Sequence, residues 1–345
     1  NPDLIATNTV TINGTGQLDF NGASDTVGPV TIASYGAPSD STPILNTTGG
    51  GNWAVNGPLT VTPVPGYLTR IDTGTGTLTL SNNLLFNASG SGRLQISGNL
   101  SLGTIANRYF TINQGLYPDY DVLIDAVISG APGAGITKDS TVYSWGAGTG
   151  GILRFAGANT FDGDVTLLDS NKGTLILANN QALGLPSANR TVMVGTNDTL
   201  ALDGGIAVSD PSDRIGISLK GSGDSRLAGV SGVGVAMSGA LFSMSGTNTV
   251  PCKITLVDNS QIASTKRMVL QGMLTGNAKT LSIVGPGETV FSGVKGMITN
   301  VSSITLSAKA TLSLENTAAA NKPDRIINTI PVTLNGGSIK FANDG

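Results

Sequence analysis

Two pairs of carboxylates raise the first chemical question. Asp119 and Asp121 in YPDYDVLID stand two residues apart, as do Asp162 and Asp164 in TFDGDV. Residues at that spacing share one face of a β-strand. Hydrolysis of a glycosidic bond needs two carboxyl groups about 5 to 10 Å apart, and Tyr117 and Tyr120 beside the first pair offer flat surfaces on which sugar rings stack. The competing reading, which we prefer, is that Asp119 and Asp121 solvate a loop and a turn. Further aromatic residues, Trp53, Tyr67, Tyr109, Tyr143 and Trp145, fall with these tyrosines in the first half of the chain. Trp53, Tyr117, Tyr120 and Trp145 are the candidate glycan contacts, although about half of such aromatics are expected to pack in the core or at corners.

Other chemistry is scarce. Histidine is absent, which removes the commonest general base and metal ligand together. Cys252 is the one cysteine, so no internal disulfide framework exists, and a reactive thiol would need a basic partner to lower its pKa. GSGDS at 221–225 is the nearest fragment to a calcium-binding β-roll turn, and no full nonapeptide is present. The glycine-rich TGGGNW and GAGTGG lack the strand–loop–helix setting and the lysine of a phosphate cradle. No metal or cofactor is expected. With 19 basic and 22 acidic residues the net charge is -3, and no long basic run stands ready to neutralise phosphates, so nucleic acid is not an expected partner. No apolar run approaches the roughly 18 residues that span a bilayer, and any signal peptide is expected to lie outside these residues.

The elements that would carry such side chains are short strands. Runs such as TVTINGTGQLDF, GTLTLSNNLLF, GRLQISGNLSL, GTLILAN and KITLVD alternate apolar and polar residues, the pattern of a half-buried strand. Charged residues are 12% of the chain, aromatics 5%, and Gly contributes 48 of 345 residues. Cores must therefore be filled by Val, Leu, Ile and Ala, with turns frequent, which suits stacked β-rungs better than packed helices.

The same phased pattern recurs along the chain. ILRFAGANTFDGDVTL laid on LFSMSGTNTVPCKITL pairs Phe155 with Met244, Gly157 with Gly246, Asn159 with Asn248, Thr160 with Thr249, Val165 with Ile254 and Leu167 with Leu256. Cys252 then falls at the Gly163 station, and Pro251 opposite Asp162 argues against a catalytic role there. A third copy, TLSIVGPGETVFSG, places Ile283, Gly285, Phe291 and Gly293 at the stations of Phe155, Gly157, Phe161 and Gly163, with two residues inserted. GTLILAN pairs with ATLSLEN, setting Leu175 and Leu177 against Leu312 and Leu314. Such self-similarity marks a solenoid, in which each coil buries its apolar face against its neighbours. The expected fold is all-β, a parallel β-helix running as one continuous domain over residues 1–345. Assuming roughly 20 to 25 residues per coil, the chain would make about 15 coils at a spacing of about 4.8 Å.

The stretch LRFAGANTFDGDVTLLDSNKGTLILANNQALG resembles the autotransporter-associated β-strand repeat at Leu153, Phe155, Gly157, Asn159, Thr160, Phe161, Gly163, Gly173, Thr174, Leu175, Leu177, Ala182, Leu183 and Gly184. The resemblance covers about a third of the chain and implies a right-handed parallel β-helix in secreted or surface-displayed bacterial proteins, often autotransporter passengers. It implies location and architecture, not a reaction. No outer-membrane barrel pattern accompanies it.

NPDLIATNTVTINGTGQLDF near the start resembles KPDRIINTIPVTLNGGSIKF near the finish, sharing Pro2/Pro323, Asp3/Asp324, Ile5/Ile326, Val10/Val332, Asn13/Asn335 and Gly14/Gly336. This leads to the expectation of one unit of a longer tandem protein, or a subunit that stacks head to tail with copies of itself. The expected function is therefore structural, extracellular and non-enzymatic. The alternatives are an adhesin that contacts glycans or partner cells through its aromatic residues, and a polysaccharide-degrading β-helix.

Overall fold

In the computed structural model the described residues are 7–34, 45–46, 50–88, 90–116, 119–141, 149–168, 172–224 and 238–343. They contain no helix, and their strands stack in parallel as a β-solenoid of about 11 turns. The chain forms two compact units, Asn1–Val165 with Gln181–Ser187, and Thr166–Asn180 with Ala188–Gly345.

In the first unit, strands return to the same face turn after turn. One inward column runs Leu18, Leu45, Ile71, Ile96, Ile124 and Phe155. A second runs Val10, Val30, Leu59, Leu84 and Phe110, and a third joins Val27, Val55 and Leu80. Because the side-chain period of a strand is two, the residues between these point outward, as in the alternating burial of Arg93–Ser101. Burying one such aliphatic side chain is worth about 1.5 to 3 kcal/mol, so each column is a continuous source of stability that no single turn has alone.

The second unit repeats the scheme. Leu175, Leu200, Leu241, Ile262, Ile283, Leu306 and Leu334 form one column. On another face, Asn248, Met268, Thr289, Leu312 and Ile339 stack beside Val250, Leu270, Phe291, Leu314 and Phe341. Leu312 and Leu314 thus stand in different ladders from Leu175, which corrects their expected equivalence with Leu175 and Leu177. The shared Thr-Leu-x-Leu pattern reports a strand with one buried face, and two faces of one solenoid can carry it.

Turns are fewer and more variable in length than the assumed coil. Stacked partners are 20 residues apart at Val10↔Val30 and 31 apart at Val122↔Leu153. In the second unit the step ranges from 20 at Ile254↔Leu274 to 41 at Leu200↔Leu241. Where the described residues show it, the extra length falls between strands, as in 317–331 between Thr311–Asn316 and Val332–Asn335, where no register has to be kept.

Candidate functional site

The carboxylate pairs do not assemble as catalytic pairs. Asp121 is buried, and its two carboxylate oxygens accept the backbone N–H groups of Gly115 and Ile152, each at 2.7 Å. Asp119 is exposed. One member of the pair is therefore committed to holding two backbone segments together, a structural use of charge-assisted hydrogen bonds. Asp162 accepts from the Gly133 N–H at 2.6 Å and from the Ser187 hydroxyl, while Asp164 is exposed and its carbonyl accepts from the Ile136 N–H at 2.8 Å. Both belong to a corner.

The aromatic candidates separate in the same way. Trp53 is a core residue, contrary to its expected role as a glycan contact: it is 2% exposed, and its ring stacks on Phe20 at 4.9 Å and 21°. The reason is visible in its strand, Trp53–Val55, where Trp53 and Val55 both face inward. An open surface depression of about 300 Å³ lies beside it, lined in part by Asp25, Thr26 and Asn52. Asn52 is already engaged, its side-chain oxygen accepting the Thr77 N–H and its own N–H donating to Ser24. Tyr120 is half-buried, with the Arg93 guanidinium 5.2 Å above its ring and donating to its hydroxyl at 3.2 Å. That occupies the face a sugar would need. Tyr117 and Trp145 lie outside the described residues.

Cys252 is fully buried, and burial pushes its thiol far above the ordinary range, with Asp210 adding to the shift. It is a small core residue. Among the described residues no group of three or more His, Cys, Asp or Glu side chains stands ready to hold a metal. No helix there is long and apolar enough to cross a membrane.

The repeat stations have a sharper structural meaning. Asn159 is fully buried; its Oδ1 accepts the Ile128 N–H at 2.8 Å and its Nδ2 donates to the Ala182 carbonyl at 2.7 Å. Asn248 is buried too, with Oδ1 accepting from Gly205 and Ile206 at 3.1 and 2.9 Å and Nδ2 donating to Ser243 Oγ and the Ser245 carbonyl, both at 2.8 Å. Each satisfies buried backbone groups that a corner takes out of the sheet ladder. Around them Leu153, Phe155, Phe161, Leu175, Leu177 and Phe291 are buried, whereas Thr160 is exposed and Thr249 half-buried. Gly157 is required by close approach: an added Cβ would sit 2.0 Å from the Ala126 carbonyl oxygen. Gly163 is as tightly enclosed, 2.4 Å from Gly133, and Gly246 lies 2.5 Å from Gly205 on the same measure. Gly285 is buried. Ahead of Asn248 the alignment slips by one, since Met244 is only half-buried and Ser243 takes the inward place.

Sequence reasoning missed three features. Thr289 stands two rungs after Asn248 in the same column, where its hydroxyl is buried with no partner; the repeat alignment puts it at the asparagine station, a signal that could have been read. Arg325 is buried and donates to the Gly293, Gly296 and Ala320 carbonyls and to Asn316 Oδ1, between 2.6 and 2.9 Å. Nothing in its neighbours marks it for that role. Finally, in the last described turn, strands Val332–Asn335 and Ser338–Asn343 leave inward-column residues uncovered, Leu334 being 54% and Phe341 78% exposed.

The fold and these stations define the class: a parallel β-solenoid built from imperfect repeats. No family model, curated protein or solved structure matches the chain.

Proposed function

We propose that this chain is an extracellular, non-enzymatic structural β-solenoid whose activity is assembly through stacking of its turns, as one unit of a tandem array or as a self-associating subunit. The observation that supports this reading is that side chains the sequence offers for chemistry are committed to the architecture: Asp121 and Asp162 hold backbone segments together and Trp53 packs in the core.

The extracellular placement follows the resemblance to the autotransporter-associated repeat. The enzymatic reading is not favoured, because Asp121 and Asp162 have structural work and fold alone does not assign a reaction. The adhesive reading loses Trp53 to the core and finds the Tyr120 ring covered by Arg93.

Sedimentation velocity tests the proposal. The wild-type chain is expected to shift to larger species as concentration rises, and Phe341→Asp with Leu334→Asp to raise the concentration needed by tenfold or more. A wild-type chain that sediments as a monomer throughout the micromolar range contradicts it.

A further inference from the structure

We propose that Arg108 is an anion-binding site: the free edge of its buried guanidinium takes a small carboxylate through the corner formed by residues 103–107. The site is independent of the assembly reading. Its strand, Asn107–Ile112, is stacked between Leu84–Phe86 and Gly135–Asp139, so nothing about the site depends on an open edge.

The first observation is a buried charge with no counter-charge. Burial alternates along Asn107–Ile112, and Arg108 and Phe110 both face inward. Arg108 is 1% exposed, and a buried cation is costly unless it is paired. Its Nε and Nη2 donate to a single acceptor, the Leu102 carbonyl, at 3.2 and 2.8 Å. No ion pair reaches it among the described residues, and burial lowers its pKa with no carboxylate to offset the shift. The corner segments stacked around it, 80–84, 102–107 and 129–135, contain no Asp or Glu. Lys138, buried diagonally across the ladder, carries the same sign. Arg325 and Arg267 show what this molecule gives its other enclosed arginines: the first donates to four acceptors and the second bridges two glutamates.

The second observation is the geometry of what remains. A guanidinium holds five N–H groups in a rigid planar fork, and the Leu102 carbonyl occupies the Nε/Nη2 side of it. The Nη1/Nη2 edge stays free, and that edge matches the two oxygens of a carboxylate. Nη1 makes no hydrogen bond and is not sealed from solvent. Gly103, at φ 71°, lies against the guanidinium, where an added Cβ would come 3.3 Å from Nη2 and 2.9 Å from the Leu80 carbonyl oxygen. Beyond it the corner residues Thr104, Ile105, Ala106 and Asn107 are exposed. With so little of Arg108 open, the entrance is a slot. It admits a planar carboxylate edge-on more readily than a tetrahedral phosphate.

Titration of the nitrogen-15-labelled chain, followed by NMR at the Arg108 Nε–H, tests the site. Sodium acetate should shift that resonance saturably, with a dissociation constant on the order of 1 mM, as one charge-assisted pair in a partly open site would give. Sodium chloride at the same ionic strength should not, and neither should acetamide, the uncharged isostere. Arg108→Met should abolish the acetate response at the Gly103 and Asn107 amides. The acetamide comparison uses the wild-type chain, so it decides the question even where that variant fails to fold. If Arg108 only holds the Leu102 carbonyl, no saturable response to acetate appears up to about 100 mM, and the proposal is overturned. Equal responses to acetate and acetamide, or phosphate binding more tightly than acetate, would overturn it too.

Discussion

Asn159 and Asn248 show what a single side chain contributes to a solenoid corner. Their position in the repeat was legible as spacing, because an Asn-Thr pair recurs at the same distance from the following strand. Their chemistry was not, since a sequence does not say which backbone groups a corner strands. Replacing Asn159 with Ala leaves the buried Ile128 N–H and Ala182 carbonyl without that partner, at a cost of about 1 to 3 kcal/mol for each orphaned group. Asn159→Ala should lower unfolding stability by about 3 kcal/mol in urea titration; a loss under about 0.5 kcal/mol would show that water replaces the side chain. Thr289 predicts the opposite sign. Its hydroxyl is buried and unpartnered between Met268 and Leu312, so Thr289→Val, which keeps the shape, should stabilise by about 1 kcal/mol in the same assay. A destabilised valine variant would mean that the hydroxyl has a partner after all.

At the scale of elements, the alternation of short runs identified the strands, and their recurrence identified parallel stacking. Trp53 was misassigned although its strand carries the signal, for Trp53 and Val55 alternate with Ala54; an aromatic side chain was weighed as chemistry before its phase was read. Turn length stayed hidden, because residues such as 317–331, between strands Thr311–Asn316 and Val332–Asn335, add length without altering the strands they join. The outward face of the second unit carries an electrostatic device that spacing alone does not reveal. Arg267 bridges Glu288 and Glu315, the latter at 2.7 Å, and Lys340 lies 3.6 Å from Glu288. Burial pushes the Glu288 pKa up, but the Ser313 hydroxyl, Arg267 and Lys340 together hold it below its ordinary value. A depressed carboxylate stabilises the fold above its unfolded pKa of about 4.3, and that contribution disappears as pH falls through the lower folded value. Urea titrations at pH 6, 4 and 3 should therefore show stability falling across this window in the wild type, and a flatter profile for Glu288→Gln. Identical profiles would assign the acid response to other groups.

At the scale of the whole molecule, stability and assembly both rest on the inward columns that successive turns share. Within each unit a column is satisfied by the rung on either side of it, as Leu306 is by Ile283 and Leu334. The sequence carried the recurrence as a likeness between segments such as 10–14 and 332–336, but which side chains are covered belongs to the folded turn. Electron microscopy with fibre diffraction on the purified chain, from low to high micromolar concentration, tests the claim most directly. The account predicts filaments that lengthen with concentration and give an axial reflection near about 4.8 Å, the spacing of strands stacked through every junction. Discrete particles of constant size at every concentration would contradict it.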